Sequence, residues 1–206
     1  MKKKRGKNKR LKKKGFDLSE EYKKSWNYIK ESKNFIYAII GIFFIFALIG
    51  FFFPIPEQLK SEIMKMLKEL FEKTQGFTQW QMTQFIFANN FKSSFLGLIF
   101  GVFLGIFPVI SSLFNGYLLG FVVSISVQES GFSILWKLFP HGIFELPAVF
   151  ISLGMGLKFG TFIFQKNKKK KFLKFLWNSL RVFIFVITPL LIIAAIIEGA
   201  LMLFLG

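Results

Sequence analysis

The sequence predicts an all-α fold: a polytopic helical membrane protein with about five transmembrane helices plus interfacial amphipathic helices. Three observations carry this. Hydrophobic residues fill 53% of the 206 positions and Phe alone accounts for 31, more apolar surface than a soluble domain of this length can hide. The formal net charge is +17, so charge and apolar surface have to be segregated along the chain. Apolar runs long enough to cross a bilayer do alternate with basic ones.

Residues 1–34 read as a basic cytoplasmic tail and a juxtamembrane helix. The first 14 positions hold ten basic residues and no acid, suited to solvent and to anionic headgroups. No folded nucleic-acid reader accompanies them, and none is expected to bind. The basic start runs into polar sequence, which does not make a cleavable signal pattern. Asp17 with Glu20 marks a helix start, and Leu18, Tyr22, Trp26 and Ile29 recur at helical spacing, so 17–33 is predicted to lie on the interface.

Residues 35–206 read as the membrane domain. The first span is 35–53, uncharged and ended by Pro54 and Pro56. Residues 57–75 place Leu59, Ile63, Met66, Leu67, Leu70 and Phe71 on one stripe, with four Glu and four Lys elsewhere: an amphipathic helix on the outer side. Spans two and three are predicted at about 91–107 and 110–127, joined at Pro108, with a shallow re-entrant hairpin as the alternative. Span four is predicted at 143–164 and the last at 177–205. The run 166–174 between them carries six lysines. Both basic segments should be cytoplasmic, which puts the N-terminus inside, the C-terminus outside and the protein in the cell membrane.

Within lipid, helices associate through close packing and polar contacts rather than hydrophobic gain, so small residues at every fourth position mark packing faces. Three such ridges occur: Ser93, Gly97, Gly101 and Gly105; Ser112, Gly116, Gly120 and Ser124; Ala148, Ser152, Gly156 and Gly160. They predict a tight core of spans two to four, with spans one and five facing lipid or a second copy.

One polar cluster stands out: Lys137, Pro140, His141, Gly142, Glu145 and Pro147, with Glu198 at a similar depth in the last span. Pro140 and Gly142 are predicted to bracket a sharp entry into span four, after which His141 and Glu145 share a face. Glu198 needs a partner, with Lys137 the cationic candidate, or a watery cavity. One His and two Glu fall short of a usual zinc set, and no Cys exists. No GxSxG appears, and the only aspartate is Asp17. Neither metal, cofactor nor catalysis is expected.

The stretch from about 89 to 160 resembles the stage II sporulation protein M family. Asn89-Asn90, the glycine series, Asn115-Gly116 and above all Pro140-His141-Gly142-Ile-Phe-Glu145-Leu-Pro147-Ala148 carry the resemblance. It implies a prokaryotic multi-spanning protein with its N-terminus inside. It also implies a membrane anchor for partners that remodel peptidoglycan. The expected function is a non-enzymatic scaffold or anchor that recruits or positions partner proteins, and the expected partners are other proteins or, in a homo-oligomer, further copies of the chain. The alternative is a small transporter or permease-like subunit moving an ion, proton or solute past His141, Glu145 and Glu198.

Overall fold

The computed structural model describes residues 17–53 and 57–205, and the side chains of these except 134–141 and 202–205. Pro54, Pro56 and the tail 1–14 lie outside the described residues. Among the described residues the fold is all-α. Its eight α-helices are α1 (Leu18–Glu31), α2 (Lys33–Phe52), α3 (Glu57–Thr74), α4 (Gln79–Phe100), α5 (Ile106–Ser130), α6 (Leu135–Gly160), α7 (Lys168–Val182) and α8 (Thr188–Leu205).

Local chemistry sets the boundaries. Asp17 caps α1 by accepting from the Ser19 and Glu20 amides, and Thr78 forms a reciprocal capping box with Gln81 at the start of α4. Gly76 and Gly131, at φ +81 and +74, follow α3 and α5. Between α7 and α8 the helix widens into a π turn, Phe183–Ile187. Pro189 follows after Thr188; it has no N–H to donate one turn back, and the wider turn accommodates the missing bond.

Four segments are long and apolar enough to cross a membrane: Lys33–Phe52, Ile106–Ser130, Gly142–Phe164 and Lys168–Leu201. The polar helix α4 is not among them, yet its 22 residues run beside α6 and α8 for ~33 Å.

The helices pair by backbone approach. The Ser112 hydroxyl donates to the Ile39 carbonyl at 2.9 Å, Gly116 lies on Phe43 and Gly120 on Ala47. Both partners advance together, so α2 and α5 are parallel. Likewise Ser152 donates to the Ser94 carbonyl at 2.7 Å, Gly156 meets Leu98, and Gly160 meets Gly101, making α4 and α6 parallel. In contrast, α2 runs antiparallel to α6, through Ser32–Lys158, Ile36–Gly154 and Phe43–Phe150. Helix α8 runs antiparallel to α4, with Phe183 against Phe91 and Phe95 at one end and Gly199 against Thr83 at the other.

Four features differ from the sequence expectation. The ridge Gly116–Gly120 serves span one rather than its expected partners, because a flat face specifies close approach but not with whom. The last span is no lipid-facing outlier: Val182, Ile187, Leu191, Ala194 and Ala195 are buried in the core. Ser94, not Ser93, occupies the buried place on α4.

The fourth difference is where the helices turn and begin. The α4–α5 reversal falls at Gly101–Gly105, where Leu104 and Gly105 have φ +58 and +72. Pro108 sits inside the first turn of α5, where its missing N–H costs nothing. Helix α6 begins at Leu135 and runs through Pro140, Gly142 and Pro147 instead of starting sharply at Gly142.

Candidate functional site

Two polar stations occupy opposite ends of α6. The first holds what the sequence singled out. Glu145 on α6 and Glu198 on α8 are both half-buried and within electrostatic reach of each other. Gly199 brings α8 onto α4 so closely that a Cβ would overlap the Thr83 hydroxyl. Beside it opens a recess of ≈ 220 Å³ lined by Gln79, Trp80, Thr83 and Ile196. The side chains of Lys137, Pro140 and His141 lie outside the described residues. A Cβ on Gly142 would sit 3.2 Å from Leu146, and Pro147 is exposed.

The asparagines do not join this station. Asn89 and Asn90 contact each other at 3.5 Å on α4, and Asn115 donates to the Ser111 carbonyl at 2.7 Å on the exposed side of α5. Among the described residues no group of three or more His, Cys, Asp or Glu could hold a metal ion.

The second station was missed. Lys158, near the end of α6, is only 8% exposed. Its Nζ donates to the Ser32 hydroxyl at 3.0 Å and lies 3.9 Å from Glu31. It also sits 4.1 Å from the centre of the Tyr28 ring and 5.7 Å from that of Phe175. An ammonium taken from water needs such partners, and a ring at this distance contributes about 1–2 kcal/mol. The Ser32 hydroxyl in turn donates to the Tyr28 carbonyl at 2.7 Å.

Lys158 thereby ties α6 to the α1–α2 junction and to α7. Burial pushes the Tyr28 phenol up to about 12, the Ser179 hydroxyl opposing and Glu31 adding. One turn before Ser25, Glu21 pairs with Lys24 and with Arg181 of α7, and these two cations lower its carboxyl from the ordinary value. The signal that could have found Lys158 is a lone cation inside an otherwise apolar span.

Four membrane-length apolar helices, clasped into a bundle at close glycine contacts, define an all-α membrane protein. No curated protein and no solved structure matches the chain. The family model for stage II sporulation protein M matches residues 39–201, and the chain belongs to that family.

Proposed function

We propose that the protein is a non-enzymatic membrane scaffold that positions partner proteins at the cell membrane. Helix α3 carries this reading. It is an 18-residue amphipathic helix with Leu59, Met66, Leu70 and Phe71 uncovered, joined to the bundle at its two ends. Its Glu and Lys residues balance, so what it offers is an apolar stripe rather than a charge.

In this reading α2, α4, α5, α6 and α7–α8 each cross the bilayer, in alternating direction. That places α1 and the 166–174 loop on the cytoplasmic side with the N-terminus, and α3 and the C-terminus outside. The 22 and 25 residues of α4 and α5 favour two full crossings over a re-entrant hairpin. Crosslinking and mild-detergent purification of the full chain, with and without 57–75, is the test. The partner set should shrink on deletion; an unchanged set counts against recruitment by α3.

A carrier is the second reading, favoured by the Glu145–Glu198 approach within apolar helices. It requires that Glu198→Gln abolish proton- or solute-coupled flux in proteoliposomes. The scaffold reading expects flux indistinguishable from empty vesicles for both proteins.

A further inference from the structure

Helices α1 and α7 are far apart in sequence and carry the same chemistry on their uncovered faces. They dock antiparallel: Glu21 pairs with Arg181, and the Tyr22 ring lies 5.7 Å from that of Phe185. Tyr28 joins Phe175 and Val182 in one buried cluster, with Lys158 beneath it. Their inward faces are therefore committed. The outward face of α1 shows Lys23, Trp26 and Lys30; that of α7 shows Lys170, Leu173, Lys174 and Trp177. In each case lysines interleave with bulky apolar groups at helical spacing, and Trp26 and Trp177 are 54% and 66% exposed.

The order of chemistry along α7 and α8 says what covers this face. Going up one side of the continuous helix come Lys170, Lys174, Trp177, Ile184 and Ile192, all exposed. Lysine, then indole, then aliphatic is the sequence met on passing from water through headgroups into hydrocarbon. A recess of ≈ 670 Å³ lined by Asn167, Lys168, Lys169, Lys170 and Leu173 opens at the foot of the stripe. Neither α7 nor the segment 166–174 contains an acidic residue, so the complement to this part of the face is anionic, while α1 adds Lys23 and Lys30 with Glu20 and Glu31 near them.

We propose that the docked α1–α7 pair is a platform for anionic phospholipid headgroups. Phosphates lie along Lys170, Lys174 and Lys30, Trp26 and Trp177 seat at the glycerol level, and Lys23, on the Arg181 side of Trp26 in the antiparallel α1, reaches back to them along its stem. The inward-turned Lys158 takes no lipid; it pins the platform to the bundle. This deepens the membrane-scaffold reading and rests on it, by naming the lipid class that holds the scaffold in its leaflet.

The test measures lipid selectivity of the full chain in phosphatidylcholine vesicles at low salt, using spin-labelled phosphatidylglycerol against spin-labelled phosphatidylcholine. The unmodified chain should prefer phosphatidylglycerol by roughly tenfold, because lysines near a bilayer surface act almost additively. The variant Lys23→Gln/Lys30→Gln/Lys170→Gln/Lys174→Gln should lose most of that preference, and the same four positions changed to Arg should keep it. A charge-matched control, Lys2→Gln/Lys3→Gln/Lys4→Gln/Lys7→Gln in the tail, should keep most of it. Equal loss in the two Gln variants would mean diffuse charge and overturn the platform. So would absence of preference in the unmodified chain, the result expected if an acidic protein covers this face instead. An unchanged partner set on deleting 57–75 with lipid preference intact sinks only the scaffold; a shrunken set with no lipid preference sinks only the platform.

Discussion

Single residues decide how closely this bundle closes. A Cβ on Gly120 would overlap the Ala47 carbonyl oxygen, one on Gly116 that of Phe43, and one on Gly101 the Gly156 backbone. Gly41, by contrast, has open space around it. Gly120→Leu should therefore cost about 3 kcal/mol or more through forced separation of α2 and α5, while Gly41→Leu should be silent. Melting and monodispersity of the two variants in the same detergent make the comparison, and equal behaviour would refute backbone contact. Tyr28 supplies a pH reading at the same scale. A phenol held protonated up to about 12 stabilises the fold fully below its ordinary value of 10.0, and that stability is lost as pH climbs between the two. An absorbance titration of phenolate should show a late-ionising component that Tyr28→Phe removes. The glycine spacing was legible in the sequence because packing in lipid demands small residues. The partners of Lys158 were not, because its aromatic socket is built from helices α1 and α7, remote along the chain.

At the scale of elements, ionic and conformational constraints separate cleanly. The Glu21 carboxyl is lowered by Lys24 and Arg181, so the docking of α1 on α7 that it contributes is present above the ordinary glutamate value of 4.5 and fades as pH falls below it. Hydrogen-exchange protection factors of α1 amides, corrected for the intrinsic rate at each pH, should be lower at pH 3.5 than at pH 7, and Glu21→Gln should remove the dependence. At the α4–α5 reversal, Gly105→Ala should cost about 1 kcal/mol or more from its positive φ alone, with the Leu157 side chain also in the way. Thermal melting measures that cost; Pro108→Ala is no silent control, since the proline constrains a first turn little but its ring is fully buried beside Gly156. Proline was the louder signal in the sequence and pointed to the wrong joint. The start of α4 was illegible for a different reason. Gln79, Gln81, Gln84, Asn89 and Asn90 read as segments outside lipid, but α6 and α8 lie alongside this helix.

For the whole molecule, the alternating helix directions make a claim about sides. Because the chain has no cysteine, single reporters can be placed against a blank background. Ser19→Cys and Lys169→Cys should label from the same face of sealed vesicles, and Ser61→Cys from the opposite one. Labelling of all three from one face would exclude the five-crossing arrangement.

The parallel α2–α5 clasp also has a consequence for assembly. Two parallel helices cannot be joined by a short turn, so α2 enters the bilayer with its groove at Phe43, Ala47 and Gly50 unfilled. The helix that fills it is made only after α3 and α4 have emerged. During that interval α2 is an orphan whose exposed carbonyl ridge invites any small-faced helix nearby. Nascent chains stalled before Ile106 should be the species that membrane quality control sees, and the arrival of α5 is the step that hides them.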